Sequence, residues 1–131
     1  MKLDHVGIAV RSIQDALKAY ELQLGLNVAE ILDIEDQKVR VAILPSGESR
    51  IELLEPTSAD SPIQKFLDRR GEGIHHLCFC VQDLEKKLEE LRTGSVQLIE
   101  SSFGRGVGDR KIAFLHPKST HGVLIELVEQ S

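Results

Sequence analysis

The sequence predicts an α+β fold built from two βαβββ modules, about 1–70 and 71–131, within a single domain spanning 1–131. Three observations carry that reading. The first is size and composition: 131 residues, 41% hydrophobic and 28% charged, suit one soluble domain with a packed core. The second is an internal repeat. His5-Val6-Gly7-Ile8-Ala9-Val10 echoes His76-Leu77-Cys78-Phe79-Cys80-Val81 at an offset of 71, and Ile51-Glu52-Leu53-Leu54-Glu55 echoes Ile125-Glu126-Leu127-Val128-Glu129 at an offset of 74. A short loop insertion accounts for the drift. The third is even charge: nine basic and twelve acidic residues in 1–70, seven and nine in 71–131. Two like halves indicate duplication rather than two unrelated domains.

Each module opens with a strand, over 3–10 and again over 75–81. A helix over 12–24 follows the first, with Ser12 as N-cap, Ile13, Leu17, Tyr20 and Leu24 at helical spacing, and Gly25 as C-cap. Strands are expected near 28–34, 39–44 and 50–54, the last two separated by the turn Pro45-Ser46-Gly47-Glu48-Ser49. Ser61-Pro62 starts a short helix that runs to Arg70, with Pro at the first helical position. Gly71-Glu72-Gly73 links the halves. The second module has a helix over 83–91, with Leu84, Leu88 and Leu91 on one face, and strands near 96–100, 111–115 and 123–129.

Composition excludes several roles. Sixteen basic against twenty-one acidic residues give a net charge of −5, which argues against a nucleic-acid partner. No apolar run is long enough to span a membrane, so no membrane role is expected. The first residues enter a strand pattern without an apolar leader. Cys78 and Cys80 sit two apart on one strand, too close for a comfortable disulfide, and read as reduced thiols in the cytoplasm.

The two echoes align His5 with His76 and Glu52 with Glu126. Side chains alternate faces along a strand, so His5, Gly7 and Ala9 share one face, as do His76, Cys78 and Cys80. If the modules are related by a pseudo-twofold, two imidazoles and two carboxylates meet in one cleft. Such a mixed N/O set suits Co²⁺, Mn²⁺, Ni²⁺, Zn²⁺ or Mg²⁺. Small neighbours leave room for a ligand above the ion. Any one of these residues taken alone reads as an isolated polar side chain, but four at repeat-related positions make a metal site the better reading.

The chain resembles the vicinal oxygen chelate superfamily, and within it the methylmalonyl-CoA epimerase family. The resemblance rests on Asp4-His5-Val6-Gly7-Ile8-Ala9-Val10, Glu52-Leu53-Leu54-Glu55-Pro56, Ser61-Pro62-Ile63, Gly73-Ile74-His75-His76-Leu77, Phe114-Leu115-His116-Pro117-Lys118 and Gly122-Val123-Leu124-Ile125-Glu126-Leu127. It implies a partly closed eight-stranded sheet around a metal cleft, with His5, Glu52, His76 and Glu126 as ligands and Co²⁺ favoured. Glu52 is the most replaceable ligand, since some members carry Gln there. The implied activity is epimerisation of (R)- and (S)-methylmalonyl-CoA by α-proton abstraction through a metal-chelated enolate, on an acyl-CoA substrate, in a homodimer. Glu126 is implied as the base beside its metal contact. Some epimerases carry a second glutamate at the position matching Val41, which moves no proton here; Glu35, Lys111, His121 or a metal-bound water could substitute. His75 should point to the other face of its strand.

The CoA phosphates need local cations on an acidic protein. The Gly-rich run 103–111, with Arg105, Arg110 and Lys111, is one place, and Lys118 another, although a plain hairpin loop explains the glycines equally well. Cys78 reads as a small buried residue more readily than as a soft-metal ligand. Lys86-Lys87-Leu88-Glu89-Glu90 reads as a solvated helix face. Three alternatives share the scaffold. A glyoxalase I-type lactoylglutathione lyase uses the same ligand pattern. A ring-cleaving dioxygenase wants two His and one carboxylate on Fe(II). A metal-free binding or resistance protein lines its cleft with aromatics, of which this chain has few.

Overall fold

The computed structural model describes residues 1–131. It is α+β, with the eight strands of two βαβββ modules. The chain clusters into two compact units, one of His5–His75, the other of Met1–Asp4 with His76–Ser131.

In the unit His5–His75, β1 (Lys2–Ala9, from His5 onward), β2 (Glu30–Ile34), β3 (Val39–Ser46) and β4 (Ser49–Pro56) form a sheet in the order β2-β3-β4-β1. β1 pairs parallel with β4, and β3 antiparallel with both β2 and β4. One sheet face buries Ala42, Leu44 and Leu53 with Val10 and Ile13, and Ala16, Leu17 and Tyr20 of the first helical segment pack on them. The opposite face carries His5, Gly7, Ile43 and Glu52. α2 (Pro62–Arg70) follows its expected start: Ser61 caps it by accepting the Ile63 N–H at 3.2 Å, and Ile63 and Leu67 are buried.

The single α-helix expected over 12–24 is instead α1 (Ile13–Leu17) followed by a π-helical turn, Lys18–Gln23. The Leu24 N–H bonds Ala19 O, five residues back, at 2.9 Å. The wider turn rotates Leu24 off the core face and leaves it 68% exposed, so it is not part of the apolar stripe. Gly25 then takes a φ of +83°, the left-handed stop expected of it.

In the other unit, β5 (Gly73–Val81, from His76 onward), β6 (Leu98–Arg105), β7 (Lys111–Leu115) and β8 (Ile125–Glu129) are ordered β5-β8-β7-β6. α3 (Leu84–Arg92) is capped by Asp83 and buries Leu84 and Leu88 against Ala113, Leu115 and Leu127. The other face holds Cys78, Ile112 and Val128, flanked by Cys80 and Phe114. β6 runs further than the expected 96–100. Its pairing with β7 shifts register between Ile99 and Gly104 and then resumes at Gly104↔Ile112. Residues 103–105 of the Gly-rich run are therefore strand, Lys111 starts β7 (Lys111–Leu115), and 106–110 remains as a tight connection. β2 and β8 start two residues later than expected, at Glu30 and Ile125.

The repeat survives in atomic detail. Gly7 lies opposite Glu52 as Cys78 lies opposite Glu126, and Ile43 lies opposite Glu52 as Phe114 lies opposite Glu126. Glu55 accepts the Ile13 N–H at 2.7 Å, and Glu129 accepts the Leu84 N–H at 3.0 Å. Glu52 and Glu55 are three apart, as are Glu126 and Glu129. Strand alternation thus sends one glutamate of each pair to the far face and the other to a helix N-terminus.

Candidate active site

Each unit holds one buried His–Glu pair on the sheet face away from its helix. In the first, β1 and β4 lie side by side, and His5 Nδ1 is 3.3 Å from Glu52 Oε2. In the second, β5 and β8 bring His76 Nε2 to 2.9 Å from Glu126 Oε1. None of the four residues exceeds 6% exposure. Burial of that degree is unusual for carboxylates and demands partners. Imidazole nitrogen and carboxylate oxygen are also the donors that a borderline or hard divalent cation takes, so the residues present fit such an ion.

The two pairs differ in their surroundings. Arg50 Nη2 lies 3.2 Å from Glu52 Oε2, so that oxygen meets both an imidazole and a guanidinium. The residue matching Arg50 in the repeat is Leu124. On the face that carries Glu126, Phe114 stands edge-on to the His76 ring at 5.6 Å, and Ile112 lines the same face.

Arg110, the last residue of the 106–110 connection, makes two hydrogen bonds to Asp4, at 3.1 and 3.2 Å. Burial pulls its guanidinium down, and the hydrogen bonds and charge of Asp4 outweigh that and raise it above its ordinary value. Asp4 immediately precedes His5, so the clamp ties the start of β1 to this connection.

The other residues singled out in the sequence are placed as follows. Lys111 lies on the helix side of β7, 3.5 Å from Glu85 of α3, opposite in facing to Ile112. Arg105 is exposed and donates to Asp109 O at 2.9 Å. Lys118 is exposed on the turn Pro117–Thr120. Glu35 and His121 are exposed. Val41 is 1% exposed and pairs with Leu32 and Leu54. His75 packs edge-on against Phe66 at 4.9 Å. Neither Cys78 nor Cys80 is in a disulfide, and Cys78 is fully buried beside Ile112 and Val128. Sequence reasoning missed Arg50, Asp4 and Phe114. It met Arg110 only as one cation of a Gly-rich run. A cation two residues before a ligand glutamate, on the same strand face, was the available signal for Arg50.

Two buried His–Glu pairs at repeat-matched places on two βαβββ modules define a class, and comparison with known proteins agrees. The chain belongs to the Glyoxalase/Bleomycin resistance protein/Dioxygenase superfamily, whose model matches residues 4–114. Within it the chain is an enzyme of the epimerase type, similar to the methylmalonyl-CoA epimerases. The mitochondrial methylmalonyl-CoA epimerase of Dictyostelium discoideum is 35% identical over 98% of this chain and 78% of its own. The uncharacterised YqjC of Bacillus subtilis is 45% identical over 98% of this chain and 91% of its own. Among solved structures, a variant of the Streptomyces coelicolor methylmalonyl-CoA epimerase in complex with 2-nitronate-propionyl-CoA superposes with a TM-score of 0.92. It is 35% identical, covering 100% of this chain and 98% of that one. No helix is long and apolar enough to cross a membrane.

Proposed function

We propose that this chain epimerises methylmalonyl-CoA with the help of a divalent cation, for which Co²⁺ is the first candidate. The family resemblance assigns His5, Glu52, His76 and Glu126 as the residues that would hold such a cation, with Glu126 also carrying the α-proton. The observation that carries the proposal is the repeat-matched pair of buried His–Glu contacts, at 3.3 and 2.9 Å, in a chain similar to named epimerases.

The substrate's α-carbon lies between a thioester and a carboxylate. Breaking its C–H bond leaves an electron pair that must spread onto carbonyl oxygens. The bound cation supplies Lewis-acid stabilisation of that negative charge, worth several kcal/mol. Glu126 accepts the proton as the bond breaks; a positioned base contributes roughly 10²–10⁴-fold. A proton donated to the opposite face of the planar carbon by a water, or by Glu35, Lys111 or His121, inverts it, and the proton held by Glu126 returns through solvent to the spent donor. Glu126 suits this role better than Glu52. Glu52 Oε2 is shared between His5 and the Arg50 guanidinium, whereas Glu126 Oε1 meets His76 and the residue matching Arg50 beside it is Leu124. Val41, buried between leucines, supplies no acid from β3. Arg105 and Lys118, both exposed, remain the candidates for the CoA phosphates, with Lys111 beside α3 a weaker one.

The test is metal analysis followed by turnover. Protein stripped with a chelator and reloaded with Co²⁺, Mn²⁺, Ni²⁺, Zn²⁺ or Mg²⁺ is assayed in D₂O with methylmalonyl-CoA, and in parallel with a glutathione hemithioacetal. We expect α-deuterium incorporation and inversion restored by metal, and no isomerisation of the hemithioacetal. Turnover of the hemithioacetal alone, or chelator-insensitive epimerisation, overturns the reading.

A further inference from the structure

Gly106 sits where β6 ends and the connection to β7 begins. Its φ of −115° and ψ of −151° are extended backbone open to any residue, so the backbone does not require glycine there. The room around it is tight on one side. A Cβ at this position would lie 3.2 Å from Ile112 Cγ2, 3.7 Å from Ile112 Cδ1 and 3.9 Å from Glu126 Oε2. Glu126 Oε1 is the oxygen turned to His76, so the Gly106 backbone stands against the other one.

This wall is tied in place. The Gly106 N–H donates to Arg110 O at 3.0 Å, and the Asp109 N–H donates back to Gly106 O at 3.0 Å. Arg105 holds Asp109 O at 2.9 Å, and Arg110 is clamped by both carboxylate oxygens of Asp4. Behind the wall Ile112 is buried with Cys78 and Val128. A carbon added to Gly106 needs Ile112 to give by a few tenths of an ångström, a strain that a well-packed neighbour resists.

We propose that Gly106, backed by Ile112, is a specificity-determining residue that sets the largest α-substituent accepted beside Glu126. The inference rests on the epimerase reading, because the reacting carbon has to come within reach of the Glu126 carboxylate. The space left by the missing side chain is then where groups on that carbon are admitted or refused. A methyl on Gly106 narrows it. Shortening Ile112 widens it at the same point.

The experiment compares three acyl-CoA thioesters, malonyl-CoA, methylmalonyl-CoA and ethylmalonyl-CoA, by calorimetric binding and by α-proton exchange in D₂O. The proteins are the parent, Gly106→Ala and Ile112→Val, with folding verified by circular dichroism. One methylene in an apolar pocket discriminates by about tenfold or more. Gly106→Ala is therefore expected to lower the ethylmalonyl-to-malonyl affinity ratio about tenfold, and Ile112→Val to raise it. An unchanged ratio in both variants, or a shift in the same direction in both, overturns the proposal. Should Gly106→Ala fail to fold, the Ile112→Val ratio alone decides it: no rise overturns it. A parent that binds the thioesters without exchanging their α-protons overturns the epimerase reading, and the binding ratios still test Gly106. A parent that binds none of the three overturns both.

Discussion

Glu52 and Glu126 occupy the same place in the repeat and meet different neighbours. An arginine stands beside the first, and Leu124 holds the matching position beside the second. That difference yields a paired prediction. Glu126→Gln, fully loaded with metal, is expected to lose α-proton exchange by at least about a hundredfold, the lower end of what a positioned base contributes. An amide oxygen still offers itself to a cation and accepts no proton at neutral pH. Glu52→Gln is expected to keep much of its activity. Mass-spectrometric deuterium uptake at the α-carbon measures both, and near-parental exchange by metal-loaded Glu126→Gln moves the base elsewhere. At this scale the sequence was legible where strand alternation alone places a side chain, as for His5, His76 and the two glutamates. It was not legible for Arg110 and Asp4, which are 106 positions apart and meet only once the chain has folded.

The elements are fastened by the second glutamate of each strand. Glu55 and Glu129 each accept a hydrogen bond from the first residue of a helix, where unsatisfied N–H groups and the positive end of the dipole collect. Glu55→Ala and Glu129→Ala are each expected to destabilise the protein by about 1 kcal/mol, the usual loss at a helix N-terminus, read from the denaturant midpoint. Arg110→Ala should cost more, about 3 kcal/mol, because it leaves the nearly buried Asp4 carboxylate without its cation. An urea titration at neutral pH ranks the three; Arg110→Ala falling within the error of the parent would remove the clamp from the account. Helix existence was legible from spacing and caps. The π-turn after α1 was not, since the same apolar residues satisfy 3.6 spacing until the hydrogen bond from Leu24 to Ala19 widens the turn. The full length of β6 was hidden as well, because glycines read as a loop while the register shift after Ile99 lets pairing resume at Gly104.

For the whole molecule, duplication was the most legible feature, because two offsets of 71 and 74 are visible without any knowledge of pairing. The fold class followed from it, and so did the four ligand candidates. The groups that would meet CoA did not follow, since loop cations carry no periodicity to place them. β2 ends its unit's sheet with one side unpaired and Ile31 about half exposed, an edge that natural sheets tend to cover. A homodimer is expected, and a monomer mass by light scattering at tens of micromolar would count against it. The glutamate pairs also bear on ancestry. In each half, the carboxylate proposed for the site and the carboxylate that braces a helix are separate residues, three apart on one strand. Mutation can therefore silence the first without loosening the second. A duplicated scaffold so arranged is free to shed, exchange or reacquire its reactivity over generations while its architecture persists.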